Sequence, residues 1–196
     1  MFTGIIESKG QVTGREAGEA LTRITIDTGN LGGLAIGDSI AVNGVCLTAV
    51  ETSPGTVTLE IIPETLSRTN LGALVEGEEV NLELPMPADG RFDGHIVQGH
   101  VDGVGTVEGI TPSGDSRVVA IRAQRSLLRY LVEKGSVTVD GISLTVARVE
   151  QDVFEVAVIP HTLEVTTLGL RKPGDTVNLE VDVLAKYVER LLEAGQ

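Results

Sequence analysis

The chain repeats itself, with a segment of the first half recurring in the second half at a constant offset. SIAVNGVCLT, which begins at Ser39, matches SVTVDGISLT, which begins 97 residues later at Ser136. The same offset carries IPETLSRTNLG, from Ile62, onto IPHTLEVTTLG, from Ile159. The gapless comparison around these motifs gives 17 identities in 46 positions, where chance would give only a few. A repeat of this length constrains the fold strongly, because both copies must adopt the same structure.

The leading segments of the two copies also match. GIIESKGQV, from Gly4, falls on GHVDGVGTV, from Gly99, at an offset of 95 residues. The chain therefore divides near His95. We expect a first domain over residues 1–95 and a second over residues 96–192.

Within each copy, short runs alternate between apolar and polar residues, as strands with one buried face do. Thr22–Ile26, Ser39–Val42 and Thr56–Glu60 show this alternation, and dipeptides such as NG, DG and PG separate the runs. This spacing of short strands and turns is typical of an all-β fold. A closed barrel of six strands per copy is favoured, because an open sheet would leave edges prone to pairing with other chains.

Helical segments interrupt this pattern. Glu64–Leu71 and its counterpart His161–Leu168 follow a proline and stop at a glycine, and Ser126 is a predicted N-cap for a helix over Leu127–Lys134. The last predicted helix, Val183–Ala194, is amphipathic and lies outside the repeat. Its apolar stripe consists of Leu184, Val188, Leu191 and Leu192.

Charge and composition exclude several classes of partner. The formal net charge is −13, with 28 acidic and 15 basic residues, which argues against nucleic acid or an anionic membrane as a partner. No apolar run approaches the length of a membrane span, and the N-terminus lacks the features of a signal peptide. The single cysteine, Cys46, fits a reducing compartment, so we expect a cytoplasmic protein that binds a neutral, hydrogen-bonding small molecule.

Several motifs together resemble the riboflavin synthase family. They are MFTGIIE at the start, NGVCLT, PETLSRTNLG, GHIVQGHVDG at the junction and DGISLT in copy two, and they occur in the order typical of that family. The resemblance covers nearly the whole chain. It implies two tandem six-stranded Greek-key barrels that assemble as a homotrimer. It also implies dismutation of two 6,7-dimethyl-8-ribityllumazine molecules, in which one donates a four-carbon unit to the other to give riboflavin and 5-amino-6-(ribitylamino)uracil.

An alternative is a non-catalytic antenna protein of the kind found in luminous bacteria, which shares the duplication but binds a lumazine or flavin without turning it over. The feature that discriminates between the two is whether both copies keep polar residues in the predicted site. Here they do: copy one has Cys46 and Thr48, and copy two has Asp140, Ser143 and Thr145. This pattern favours the enzyme.

The resemblance implies a set of catalytic residues drawn from both copies. They are Phe2, Ser39, Cys46, His100, Asp140 and Ser143. For Cys46 the alternative is a small buried hydrophobe, and for Asp140 a plain turn residue before a glycine. His100 is the candidate general acid or base.

A larger set is expected to bind the substrate. It comprises Gly4, Ile5, Ile6, Cys46, Leu47, Thr48, Glu60, Ile61, Ile62, Pro63, Glu64, Thr65, Gly99, His100, Val101, Lys134, Ser143, Leu144, Thr145, Ala157, Val158, Ile159, Pro160, His161 and Thr162. The chain has only 3% aromatic residues, so aliphatic walls and the second substrate would take the place of aromatic stacking partners. The five walls are Ile5, Ile6, Ile62, Val101 and Ile159, for which the alternative interpretation is burial in a β-core.

We expect neither metal nor organic cofactor. His95 and His100 would face opposite sides of an extended strand, and no further cysteine or carboxylate completes a zinc ligand set. The GVG at Gly103 lacks the third glycine of a dinucleotide fingerprint. Copy two also departs from the family, since His161 and Val165 stand where Glu and Arg are common, which leaves the role of those two side chains in doubt.

Overall fold

The computed structural model describes residues 1–195, which form two closed β-barrels joined by the segment 84–102. The strands of barrel one are β1 Ser8–Ala17, β2 Thr22–Asp27, β3 Ser39–Val42, β4 Val45–Ser53, β5 Thr56–Ile61 and β6 Glu79–Glu83. The strands of barrel two are β7 Gly103–Ser113, β8 Ser116–Arg122, β9 Ser136–Val139, β10 Ile142–Val149, β11 Val153–Val158 and β12 Thr176–Val181. Four α-helices accompany them: α1 Pro63–Arg68, α2 Arg125–Leu128, α3 Pro160–Val165 and α4 Val183–Ala194.

The two barrels have the same topology. Barrel one closes in the order β1-β2-β5-β4-β3-β6, and barrel two follows the same order with each strand number raised by six. Every pairing is antiparallel, and β2 pairs with β5 rather than with its sequence neighbour β3, as in a Greek key. The prediction of two six-stranded Greek-key barrels is confirmed.

The alternation in sequence decides which side chains fill each barrel. In β2, Ile24 and Ile26 are buried while Arg23 between them is exposed, and Leu59 of β5 packs beside them. Each such fully buried side chain contributes roughly 1.5–3 kcal/mol. The period of two therefore also determines which side chains reach the outer surface, where the candidate site lies.

The helix predicted over Glu64–Leu71 is shorter than expected. Helix α1 ends at Arg68, and a separate 3-10 turn follows at Asn70–Ala73. Between them Thr69 has extended backbone, and its side chain accepts a hydrogen bond from the Leu71 amide. Copy two repeats this break at Thr166, so the predicted helix over His161–Leu168 is corrected in the same way.

The helix predicted over Leu127–Lys134 is also corrected. Helix α2 begins at Arg125 and ends at Leu128, and its N-cap is Gln124 rather than Ser126. The chain has to turn early because the Lys134 amide pairs with the Val146 carbonyl oxygen, and Lys134 itself has φ of 67°.

Helix α4 has the predicted bounds. The Asp182 side chain caps its first turn by accepting from the Leu184 amide. The apolar stripe is exposed, at 55% for Leu184, 56% for Val188, 72% for Leu191 and 67% for Leu192. No helix within residues 1–195 is long and apolar enough to cross a membrane.

Candidate active site

The leading segments of the two copies are exchanged between the barrels. The Ser143 amide of barrel two donates to the carbonyl oxygen of Gly4 at 2.8 Å, and the Cys46 amide of barrel one donates to that of Gly99 at 2.9 Å. Both glycines have positive φ, 79° and 77°. A Cβ on Gly4 would lie 2.6 Å from Cβ of Ser143, and one on Gly99 would lie 2.5 Å from Cβ of Cys46. Only glycine permits so close an approach with that backbone.

The exchange extends two residues further. Ile6 packs against the core of barrel two, and Val101, its counterpart at the offset of 95, packs against the core of barrel one. Each candidate site is therefore built from both copies of the repeat.

Barrel one carries a cleft of about 340 Å³ on its outer surface. It is lined by Leu21, Cys46, Leu47, Thr48, Val50, Glu60, Ile62 and Thr65. Six of these eight residues were expected to bind the substrate. Leu21 and Val50 were missed, although Val50 continues the outward alternation of Cys46 and Thr48. The volume is within the range typical of small-molecule sites.

The strands beside this cleft divide their residues between the inside and the outside of the barrel. Leu47 and Ile61 point inward and are 7% and 1% exposed, and so are their counterparts Leu144 and Val158, at 9% and 1%. These four predicted binding residues therefore have their side chains in the barrel cores.

Three of the proposed aliphatic walls are exposed, which rules out core burial for them. Ile5 is 45% exposed, Ile62 is 52% exposed and Ile159 is 58% exposed. Ile6 and Val101 are half-buried. The alternative interpretation as core residues is therefore wrong for Ile5, Ile62 and Ile159.

Barrel two presents the equivalent surface around β10. Ser143 is half-buried and Thr145 is exposed, at the positions that Cys46 and Thr48 occupy in barrel one. The remaining predicted residues of this region are distributed around it. Ala157, Pro160, His161 and Lys134 are exposed, and Thr162 is half-buried.

Ser143 contacts a histidine that sequence reasoning left out of the site. Nδ1 of His95 lies 2.7 Å from Oγ of Ser143, and Nε2 of His95 lies 3.3 Å from Oγ1 of Thr138. His95 is only 8% exposed. Burial lowers the pKa of its imidazole, and the charge of Asp182 opposes that shift. The ring is therefore held mainly neutral between two hydroxyl groups, where it can exchange a proton with Ser143.

His95 also bears on the division of the chain. The repeat assigned it to the end of the first domain, yet its side chain lies against barrel two. The histidine predicted as general acid or base, His100, is exposed and lies one residue past the Gly99 that contacts Cys46.

The structure does not bring Asp140 to the surface of either site. It is 0% exposed and lies in the interface between the barrels. Its carboxylate accepts from Nδ2 of Asn70 at 2.9 Å, from the Asn178 amide at 2.8 Å and from Arg171 at 2.7 Å. The carboxylate is thus hydrogen-bonded entirely within the protein, and its catalytic role stays a prediction. The alternative of a plain surface turn is excluded by the same burial.

The N-terminal arm is fixed rather than free. Phe2 is 1% exposed and forms an antiparallel bridge with Val97, whose position matches it at the offset of 95. Phe2 packs with Ala41 and Val97, and Cys46 is half-buried against this cluster. Ser39, the remaining predicted catalytic residue, is half-buried and pairs with Thr48 across β3 and β4.

The two α1 side chains that copy two replaces are both on the surface. Glu64 and Arg68 are exposed, as is Pro63, and Glu64 forms an ion pair with Arg68 on the next turn. Copy two has His161 and Val165 at these places, so its α3 lacks the pair. The outer surfaces of the two barrels therefore differ beside this helix, because copy one carries an ion pair there and copy two does not.

Two equivalent barrels, each with a polar outer strip beside a glycine segment from the other copy, define a class of duplicated two-barrel protein in which both copies contribute to each candidate site. A family model described as the lumazine binding domain matches the chain twice, at residues 3–85 and 98–182. Among curated relatives, riboflavin synthase of Mycobacterium bovis is 53% identical over 100% of both chains. Riboflavin synthase of Actinobacillus pleuropneumoniae is 47% identical over 98% of this chain and 90% of its own.

Solved structures agree with this assignment. LumP complexed with riboflavin superposes with a TM-score of 0.85 at 28% identity, covering 92% of this chain and 99% of its own. LumP complexed with 6,7-dimethyl-8-(1'-D-ribityl) lumazine gives a TM-score of 0.84 at 25% identity over the same shares. The chain therefore belongs to the riboflavin synthase family.

Proposed function

We propose that this protein catalyses the dismutation of two 6,7-dimethyl-8-ribityllumazine molecules to riboflavin and 5-amino-6-(ribitylamino)uracil. The observation that carries the proposal is the retention of a polar outer strip in both copies, in a chain that matches riboflavin synthases over its full length. A reaction between two identical molecules suits a chain with two equivalent sites. Holding two reactants in register can lower a barrier by roughly 7–11 kcal/mol.

Each barrel binds one lumazine on its outer surface. In barrel one, Thr48 and the backbone around Cys46 hydrogen-bond the ring edge or the ribityl chain, and the exposed Ile62 covers a ring face. Ser143, Thr145 and Ile159 do the same in barrel two. The size of the barrel-one cleft and the outward direction of these side chains support this arrangement.

Proton transfer takes place at the barrel-two site. The neutral His95 ring orients the Ser143 hydroxyl, so that one of its oxygen lone pairs is available to a proton on the bound ring system. His100 is exposed and serves as the second acid or base. Asp140 acts as a positioning residue, because hydrogen bonds from Asn70 and Asn81 of barrel one join the loop before β10 to that barrel.

The reacting pair forms between subunits. We propose a homotrimer in which the barrel-one site of one subunit faces the barrel-two site of the next. The exposed stripe of α4 supports this assembly, as does an adjoining groove of about 490 Å³. The groove is lined in part by Val132, Val188 and Leu192. We place the enzyme in the cytoplasm, where its free thiol Cys46 stays reduced.

The test is incubation of EDTA-treated protein with the lumazine alone. We expect flavin absorbance to appear with two lumazines consumed for each riboflavin formed. Ser143→Ala should lower turnover by roughly a hundredfold or more while lumazine fluorescence still reports binding. Ser113→Ala, in an exposed hairpin, serves as the matched control. Binding without flavin formation by the unaltered protein would instead establish the antenna function, and restoration of activity by zinc would contradict the expectation of a metal-free reaction.

A further inference from the structure

A buried carboxylate at the end of β6 holds the N-terminal arm. Glu83 is 4% exposed, and its Oε1 accepts from the Thr3 amide at 2.7 Å and from the Thr3 hydroxyl at 3.3 Å. The Gly4 amide lies 3.1 Å from both carboxylate oxygens. The arm is therefore tied to barrel one at the residue that contacts Ser143 of barrel two.

The same device occurs at the end of the corresponding strand of copy two. Glu180 is 3% exposed and accepts from the Gln98 amide at 2.8 Å and from the Gly99 amide at 3.0 Å. Gly99 in turn contacts Cys46. The two glutamates are related by the offset of 97, and the segments they hold are related by the offset of 95.

Burial of a carboxylate is costly unless hydrogen bonds compensate for lost water. Within residues 1–195, no salt bridge reaches the carboxylate of Glu83 or of Glu180. The hydrogen bonds that compensate for the lost water come from backbone amides of the exchanged segments. These bonds fix the position of each segment, which a side chain that only fills space would not do. A purely structural position would be satisfied by an apolar side chain of similar size.

We propose that Glu83 and Glu180 are positioning residues that act crosswise, each holding the backbone segment that completes the site on the other barrel. Glu83 of barrel one sets Gly4 over Ser143, and Glu180 of barrel two sets Gly99 over Cys46. This inference rests on the proposed function, because the sites it concerns are the lumazine sites. Neither glutamate contacts the substrate.

The test uses thiol reactivity as a local probe in the full-length protein. Cys46 is the only cysteine, so its reaction rate with an aromatic disulfide reports on the Gly99 segment. A second reporter, Cys46→Ser combined with Ser143→Cys, reports on the Gly4 segment. Each reporter is combined with Glu83→Gln, with Glu180→Gln and with the control Glu79→Gln, an exposed glutamate of β6 paired with Lys9.

We expect a crosswise pattern. Glu180→Gln should raise the reactivity of Cys46 about tenfold, the factor that corresponds to losing a charge-assisted hydrogen bond, and should affect the thiol at 143 less. Glu83→Gln should do the reverse, and Glu79→Gln should change neither. In the protein that keeps Cys46 and Ser143, Glu83→Gln and Glu180→Gln should each lower kcat for riboflavin formation more than they raise KM.

Equal changes at both thiols, or no change at either, would overturn the proposal. If a glutamine variant is unfolded at the assay temperature by circular dichroism, the same rates are measured in Glu83→Asp or Glu180→Asp. Those variants keep the charge but withdraw it from the amides, so the crosswise pattern must persist. Absence of riboflavin formation by the unaltered protein would contradict the proposed function alone, because the thiol rates do not depend on turnover.

Discussion

Asp140 and Arg171 show how single residues make the two copies unequal. Their counterparts in copy one, at the offset of 97, are Asn43 and Leu74. Asn43 and Asp140 both have positive φ, 45° and 46°, so the backbone is the same in the two copies. Copy two therefore carries a buried ion pair where copy one has a neutral amide and an apolar side chain.

Asp140→Asn should destabilise the protein by about 2–3 kcal/mol, because Arg171 then lacks its buried charge partner. The double variant Asp140→Asn/Arg171→Leu reproduces the pair found in copy one and should recover most of that loss. The free energy of unfolding in urea measures both effects. A double variant that is no more stable than the single one would show that the charge on Arg171 is not the cause.

Glu83 provides a pH-dependent prediction. Burial raises the pKa of its carboxyl to about 7 from an ordinary 4.5, against the opposing effect of its amide donors. The folded state therefore binds the proton more tightly than the unfolded state. The stabilisation of the folded state by this bound proton is fully present below pH 4.5 and is lost as the pH rises towards 7. The unfolding free energy changes by at most about 1.4 kcal/mol per pH unit in this window. Glu83→Gln lacks this stabilisation, so the difference in unfolding free energy between the two proteins should change across that window and be constant above it.

Most residues of the barrel-one cleft could be predicted from the sequence, whereas the partner of Ser143 could not. Cys46 and Thr48 alternate on one strand and the family motif contains them, so a period of two was sufficient. The contact between His95 and Ser143 joins the linker to barrel two, and its residues are far apart in sequence. Neither periodicity nor the repeat contains that information, because it arises from the exchange of segments.

Among the elements, α4 was the most predictable and α2 the least. An amphipathic stripe of twelve residues with an N-cap is a strong local signal, and the bounds Val183–Ala194 agree with it. The segment of α2 has similar apolar spacing, but its backbone is directed by the pairing of Lys134 with Val146 of β10. In that segment a tertiary hydrogen bond, rather than the local sequence pattern, determines where the helix ends.

Helix α4 has few ties to its own barrel. Lys186 forms an ion pair with Asp102 at 2.6 Å, and Glu189 contacts Tyr130 and Arg129. Truncation after Asp182 should therefore leave the β-structure intact and yield monomers, because the exposed apolar stripe is removed. Sedimentation with far-ultraviolet circular dichroism measures both. A trimer that survives truncation would assign the assembly to another surface.

At the scale of the whole molecule, the barrels meet about an approximate two-fold axis. Nδ2 of Asn81 donates to the Asp140 carbonyl oxygen, and Nδ2 of Asn178 donates to that of Asn43, each at 2.9 Å. The fold class, the duplication and the family predicted from the sequence are confirmed. The packing of one copy on the other was not predicted, because identical copies contain no pattern that states how they face each other.

The contact between Gly44 and Gly141 tests this interface. A Cβ on Gly44 would lie 2.6 Å from the Gly141 backbone nitrogen, and Gly44 has φ of 76°. Gly44→Ala should lower the free energy of unfolding by more than the roughly 1–2 kcal/mol of left-handed strain, since the barrels must also separate. Gly55→Ala is the matched control, because Gly55 has the same φ of 76° and open space around it. Equal losses of unfolding free energy in the two variants would mean that separating the barrels at Gly44 costs no stability.

The exchanged segments have a consequence for how the chain is made on the ribosome. Translation proceeds at roughly 5–20 residues per second, and barrel one has all six strands once Glu83 has emerged. At that moment Gly4 has no Ser143 to dock on, and Cys46 has no Gly99 beside it. The arm and the Cys46 strip of a nascent chain therefore stay uncovered until later segments are synthesised, and during this interval the arm can dock on Ser143 of a neighbouring nascent chain that is further advanced. Polysomes carrying this message bring chains of different length together, so slower elongation through the second half favours arm-swapped pairs.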